Sequence, residues 1–182
     1  MQTRNSFSLR RLVASALFLA LALLLPFLTG QIQTVGQMLC PMHLPVLLCG
    51  FLCGWPWGLA VGVAAPLLRS LLFGMPPMFP MAVSMAAELA VYGAVSGLLR
   101  KVFPKKIGWY YAELLLAMVS GRLVWGAVRF LIAGLSGSSF SLAMFWAGAV
   151  TGSLPGILLQ IVLLPPLYML CERKLMPYLE GN

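Results

Sequence analysis

Residues 10–28 read RRLVASALFLALALLLPFL, two arginines followed by 17 residues without a charge. A helix that crosses a bilayer needs roughly 20 mostly apolar residues, so this stretch, begun at Leu9, has the length and composition of a span over residues 9–28. Arginines ahead of an apolar run are also the layout of a secretory signal. The downstream sequence argues against that reading, because it is as apolar as the signal itself would be.

The chain of 182 residues is 61% hydrophobic and only 9% charged, whereas soluble domains are about a quarter charged. So few charges cannot clothe a water-facing surface. The apolar runs use nearly the whole length and leave no room for a separate catalytic domain. The sequence therefore predicts an all-α membrane protein, a bundle of six transmembrane helices at about residues 9–28, 43–54, 57–73, 78–99, 108–133 and 142–170. Gly30 and the polar residues 31–37 end the first helix, and Trp55-Pro56 separates the second from the third. Gly74, Pro76, Pro77 and Pro80 mark the next loop, and Pro155, Pro165 and Pro166 should bend the last helix. The second segment has too few residues for roughly 30 Å of hydrocarbon and is expected to be tilted, bent or sunk in protein.

The formal charge of +8 is distributed by topology and not as a nucleic-acid patch. Arg4, Arg10 and Arg11 precede the first run, Arg100, Lys101, Lys105 and Lys106 fill one hinge, and Arg173 and Lys174 follow the last run. Residues 29–42, 74–77 and 134–141 contain no lysine or arginine. With cations retained on the cytoplasmic side, the three clusters agree on one orientation, both termini inside the cell membrane.

Cys40, Cys49, Cys53 and Cys171 form no CxxC, and the one histidine, His43, cannot complete a structural zinc set, so no metal or other cofactor is expected. Gly50, Gly54, Gly58 and Gly62 recur every fourth residue, with a smaller version at Ala16-x-x-x-Ala20. Small residues at this spacing let backbones approach closely, either inside the bundle or on a surface that docks another membrane protein.

Three arginines lie away from the edges: Arg69 near the external end of the third helix, Arg122 near the middle of the fifth, and Arg129 nearer its external end. A charge in the membrane costs at least about 2.5–3.5 kcal/mol on insertion scales, so such residues face a cavity or a partner. Arg122 and Arg129 are two helical turns apart and share a stripe with Trp125 and Gly126. Glu88 lies at a similar depth and is the natural counter-ion of Arg122. One reading pairs Glu88 with one arginine and lets the others snorkel to the interface. The other leaves Arg69 and Arg129 as the walls of an outward-facing pocket for a carboxylate or phosphate. Tyr92, Trp125, Trp146, Gln31, Gln33, Gln37 and His43 are candidate ligand contacts. Met75, Pro76 and Pro77, with Met78 and Phe79, form an apolar loop able to close over a bound molecule.

The chain has no GxxxxGK[ST] and no aspartate, which excludes a P-loop ATPase and weakens any intramembrane hydrolase reading; no catalytic residue is assigned. The order of features resembles the substrate-binding S component of an energy-coupling factor (ECF) vitamin transporter. The resemblance rests on Ala16-x-x-x-Ala20, on Met42-His-Leu-Pro-Val-Leu-Leu-Cys-Gly50, on Pro66-Leu-Leu-Arg-Ser-Leu-Leu-Phe-Gly-Met-Pro-Pro77, and on Gly121-Arg122 with Trp125-Gly126. It implies a single transmembrane substrate-binding domain over residues 1–182 that captures a micronutrient from outside. It also implies docking through Ala16 and Ala20 on a transmembrane coupling subunit driven by two cytoplasmic ATPases, with residues 29–42 and 74–77 as gates. Combined with the positive pocket, it points to an anionic vitamin or precursor, of pantothenate-, folate- or lipoate-like type. The alternative is a self-sufficient secondary transporter of a small organic anion, coupled to protons or sodium through Glu88.

Overall fold

The computed structural model describes residues 2–29, 32–104 and 106–180. Gln31 and Lys105 lie outside the described residues, as do the side chains of Arg4, Gln33 and Gln37. Among the described residues there is no strand. Helix α1 (Gln2–Leu24) ends in a tight turn at Leu25–Thr29, where Pro26 interrupts regular pairing. There follow α2 (Gln33–Leu39), α3 (His43–Cys53), α4 (Trp55–Phe73), a kinked turn at Met78–Ala82, α5 (Val83–Val102) and α6 (Ile107–Ser136). The last run is α7 (Leu142–Trp146), a wide turn at Ala147–Thr151, and α8 (Leu154–Glu180).

Among the described residues, five segments are long and apolar enough to cross a membrane: Leu9–Leu28, Trp55–Phe73, Met78–Val102, Ile107–Ser136 and Leu142–Leu179. Their outer faces carry Leu, Val, Ile, Phe and Trp side chains in the open, as a lipid-facing surface requires. The second predicted segment forms α3, 11 residues long, of which ten are buried, so it is sunk in protein as its shortness implied. It is the centre of the bundle, wrapped by α1, α4, α5 and α8.

Several predicted boundaries move, each for a local reason. Gly54, at φ 97°, makes the break after α3, a backbone state that only glycine adopts without strain. Trp55-Pro56 therefore opens α4 and does not separate two helices; proline fits a first turn, whose N–H groups lack partners anyway. Residues 29–42 are not a plain loop: they hold α2, closed at Cys40 by a left-handed residue whose N–H reaches the Gly36 carbonyl. The last predicted helix is broken ahead of Pro155, which sits in the first turn of α8.

The glycine repeat is internal packing. A Cβ on Gly58 would run into the Gly93 carbonyl on α5, one on Gly93 into the Gly58 carbonyl, and one on Gly62 into the Leu89 carbonyl. Gly50 meets the Gly93 carbonyl and the Ser96 hydroxyl in the same way. Ala16 and Ala20 are different: they lie exposed on α1, while Ala14, Phe18 and Ala22 face the core.

One end of the bundle carries the clustered charges. There Arg100 Nη1 meets Glu113 Oε1 at 2.7 Å, Tyr110 donates to Glu172 Oε2 at 3.1 Å, and Arg10 Nη1 donates to the Tyr178 carbonyl at 2.9 Å. These contacts tie α1, α5, α6 and α8 together. The other end opens into a cavity.

Candidate functional site: a cationic cavity

The cavity, about 470 Å³, lies where the ends of α1, α4 and α6 meet the starts of α3 and α5. That is the size range of small-molecule sites. Arg122, Trp125 and Arg129 come from one face of α6, and His43 from the first turn of α3. Glu88 comes from α5 and Arg69 from the last turns of α4.

At the deep end, Arg122 Nη1 stands 3.0 Å from Glu88 Oε1, and His43 Nε2 stands 3.5 Å from the same oxygen. The first is a charge contact without an aligned hydrogen bond, because Glu88 Oε1 has no hydrogen-bond partner. Arg122 also donates through Nη2 to Cys40 Sγ at 3.6 Å. Glu88 and His43 are only 1% and 2% exposed, so the carboxylate relies on these neighbours for its charge. Neither ring nitrogen of His43 makes a hydrogen bond, and Arg122 Nε makes none.

Toward the mouth, the two remaining arginines have different surroundings. Arg69 is buried between the rings of Phe27 and Phe73, 5.1 and 5.4 Å from their centroids, and donates to the Leu23 carbonyl at 2.6 Å. The carbonyl is available to Arg69 because α1 changes its winding at Leu25 and Pro26. Arg129 lies over Trp125 at 6.0 Å and Phe140 at 5.5 Å, and its Nε has no hydrogen-bond partner. Among the described residues no carboxylate is within ion-pair distance of Arg69 or Arg129.

The cavity wall therefore holds three guanidinium groups and one carboxylate. The guanidinium groups thus outnumber the carboxylate by two.

Of the residues singled out in the sequence, Arg69, Arg122, Arg129, Glu88, Trp125, His43, Met75 and Pro76 border the cavity. Tyr92 does not. It is fully buried, with its ring edge-on to His43 at 5.2 Å and pressed into the space left by Gly121, and so supports the floor from behind. Trp146 is half-exposed away from the cavity, and Pro77 is exposed beside it. Gln37 lies on α2 with its side chain outside the described residues.

The sequence reading missed the sulfur-rich lining. Met38, Met42, Met75, Met81, Met85 and Met144 all face the cavity, with Cys40 and Phe140. The recurrence of methionine at a four-residue spacing, Met38 to Met42 and Met81 to Met85, was the available signal, although the left-handed Cys40 breaks the helix between the first two. Among the described residues no group of side chains is suited to hold a metal ion.

Fold and cavity define a multi-span helical membrane protein with a cavity of small-molecule size opening at one end. The chain matches the family "ECF transporter, substrate-specific component" over residues 10–168, and it belongs to that family. No curated protein and no solved structure matches it. Membership makes it a substrate-binding subunit of a transporter and not an enzyme.

Proposed function

We propose that this subunit captures a small anionic micronutrient, a vitamin or vitamin precursor bearing a carboxylate or phosphate, from outside the cell membrane. Pantothenate-, folate- and lipoate-like compounds all fit that description. The observation that carries the reading is the presence of two arginines, Arg69 and Arg129, with no carboxylate partner among the described residues, on the wall of a cavity of ligand size. A guanidinium without a counter-ion favours an anion through paired, charge-assisted hydrogen bonds.

In this reading the chain is one substrate-binding domain with six membrane segments, α3 being the short one, and both termini are cytoplasmic. The charged end of the bundle, with Arg10, Arg100 and Lys174, then faces inward and the cavity faces out. Met75, Pro76 and Pro77 act with residues 29–42 as the gate. The exposed pair Ala16 and Ala20 docks on a transmembrane coupling subunit, and two cytoplasmic ATPases supply the energy.

The alternative, a self-sufficient secondary transporter coupled to protons or sodium through Glu88, would use a carboxylate that here stands 3.0 Å from Arg122.

Arg129→Ala should weaken binding of the anion by roughly 1.5–3 kcal/mol, the usual value of a charge-assisted hydrogen bond. Equilibrium binding to the purified subunit in nanodiscs checks this, and unchanged affinity would return Arg129 to a structural role on Trp125. Enlarging the exposed pair with Ala16→Leu and Ala20→Leu should leave that affinity intact while abolishing uptake in reconstituted transporters. Loss of binding itself would assign α1 another role.

A further inference from the structure

The cavity has two polar stations of different character. Arg129 and Arg122 are seven residues apart on one face of α6, which at 1.5 Å per residue separates them by about 10 Å along the helix. The Arg129 end is cationic and has no counter-ion. At the other end, made by His43, Glu88 and Arg122, Glu88 offsets the charge of Arg122.

This second end is also incomplete. His43 is 2% exposed and borders the cavity, yet both its ring nitrogens lack a hydrogen bond, and its distance of 3.5 Å to Glu88 is too long for a good one. A neutral imidazole has one donor and one acceptor to satisfy. Leaving such atoms bare in a buried site is costly, and a bound molecule is the partner the geometry leaves room for. One helical turn above this floor, Met85 on α5 and Trp125 on α6 border the same cavity with no hydrogen-bonding group except the indole N–H.

We infer that the ligand is bipolar: an anionic group at Arg129, an uncharged donor–acceptor group such as an amide, hydroxyl or lactam edge at His43, and an apolar middle against Met85 and Trp125. The two polar ends lie on the order of 10 Å apart, because Arg129 stands that far along α6 from Arg122, which shares Glu88 with His43. This rests on the anion site proposed above and adds what the far end of the molecule must carry. A second carboxylate is disfavoured there, since Glu88 already supplies the negative charge beside Arg122.

Three soluble probes of equal chain length separate the possibilities: suberamate, with a carboxylate and a primary amide; octanoate, with a carboxylate and a methyl end; and suberate, with two carboxylates. Calorimetry in nanodiscs should show suberamate binding about tenfold more tightly than either of the others, as expected for one well-placed hydrogen-bonding group in a buried site. His43→Leu should erase the gap between suberamate and octanoate, and His43→Gln, which keeps a donor and an acceptor, should restore part of it.

Equal affinities for suberamate and octanoate in the unaltered protein, both weakened by Arg129→Ala, would overturn the bipolar ligand and leave the anion site standing. If no carboxylate probe binds, or if Arg129→Ala changes none of them, the anion site falls as well. A preference for suberate would overturn the uncharged group at the far end.

Discussion

Replacing Glu88 by alanine is expected to destabilise the protein by about 3–5 kcal/mol, the cost of leaving one member of a buried ion pair unpaired. The magnitude follows from position. Arg122 is 3.0 Å from Glu88, its side chain is 13% exposed, and its other contact, to the Cys40 thiol, is a weak one. Without Glu88 the guanidinium would remain in the bundle with no charge partner. Adding Arg122→Met to Glu88→Ala should recover most of the loss, because an apolar side chain of similar length removes the uncompensated charge. Thermal unfolding of the purified variants checks both results. A loss below about 1 kcal/mol for Glu88→Ala would mean that water or His43 already meets the needs of Arg122.

Gly58→Val should be nearly as damaging, about 3 kcal/mol or failure to accumulate in the membrane, at the upper end of the usual range for overpacking. The added Cβ would meet the backbone carbonyl of Gly93, which cannot rotate away as a side chain can, and the Gly50 backbone lies on another side. Gly134→Ala is the matched control. That glycine lies inside α6 with open space where a Cβ would go, so alanine should be neutral or stabilise by up to about 1 kcal/mol through helix propensity. Equal tolerance of both substitutions in the same unfolding assay would contradict the close approach of α4 and α5.

The contrast between these two glycines shows which features the sequence made legible. The repeat at Gly50, Gly54, Gly58 and Gly62 announced close packing by its spacing, but spacing alone does not say which helix fills it. The membrane spans were readable because runs of apolar residues have few alternative uses. Arg122 and Glu88 stood out because charges are rare at that depth.

What stayed hidden depended on tertiary context. Helix α2 is short and polar, and it ends at Cys40, a residue type that gives no left-handed signal in sequence. The Leu23 carbonyl became available to Arg69 only because α1 changes its winding at Leu25. Tyr92 looked like a ligand contact because its depth was right, but helix rotation turns it away from the cavity toward Gly121. The methionine lining comes from four separate segments that meet only in the folded bundle.

The central claim, a subunit that holds a small anion without help, is tested most directly by native mass spectrometry of the chain purified alone from cells grown in rich medium. One bound organic anion per chain, released on denaturation and absent from Arg129→Ala, is the predicted result. A chain that carries a cationic or uncharged molecule, or that holds the same anion equally well after Arg129→Ala, would contradict it.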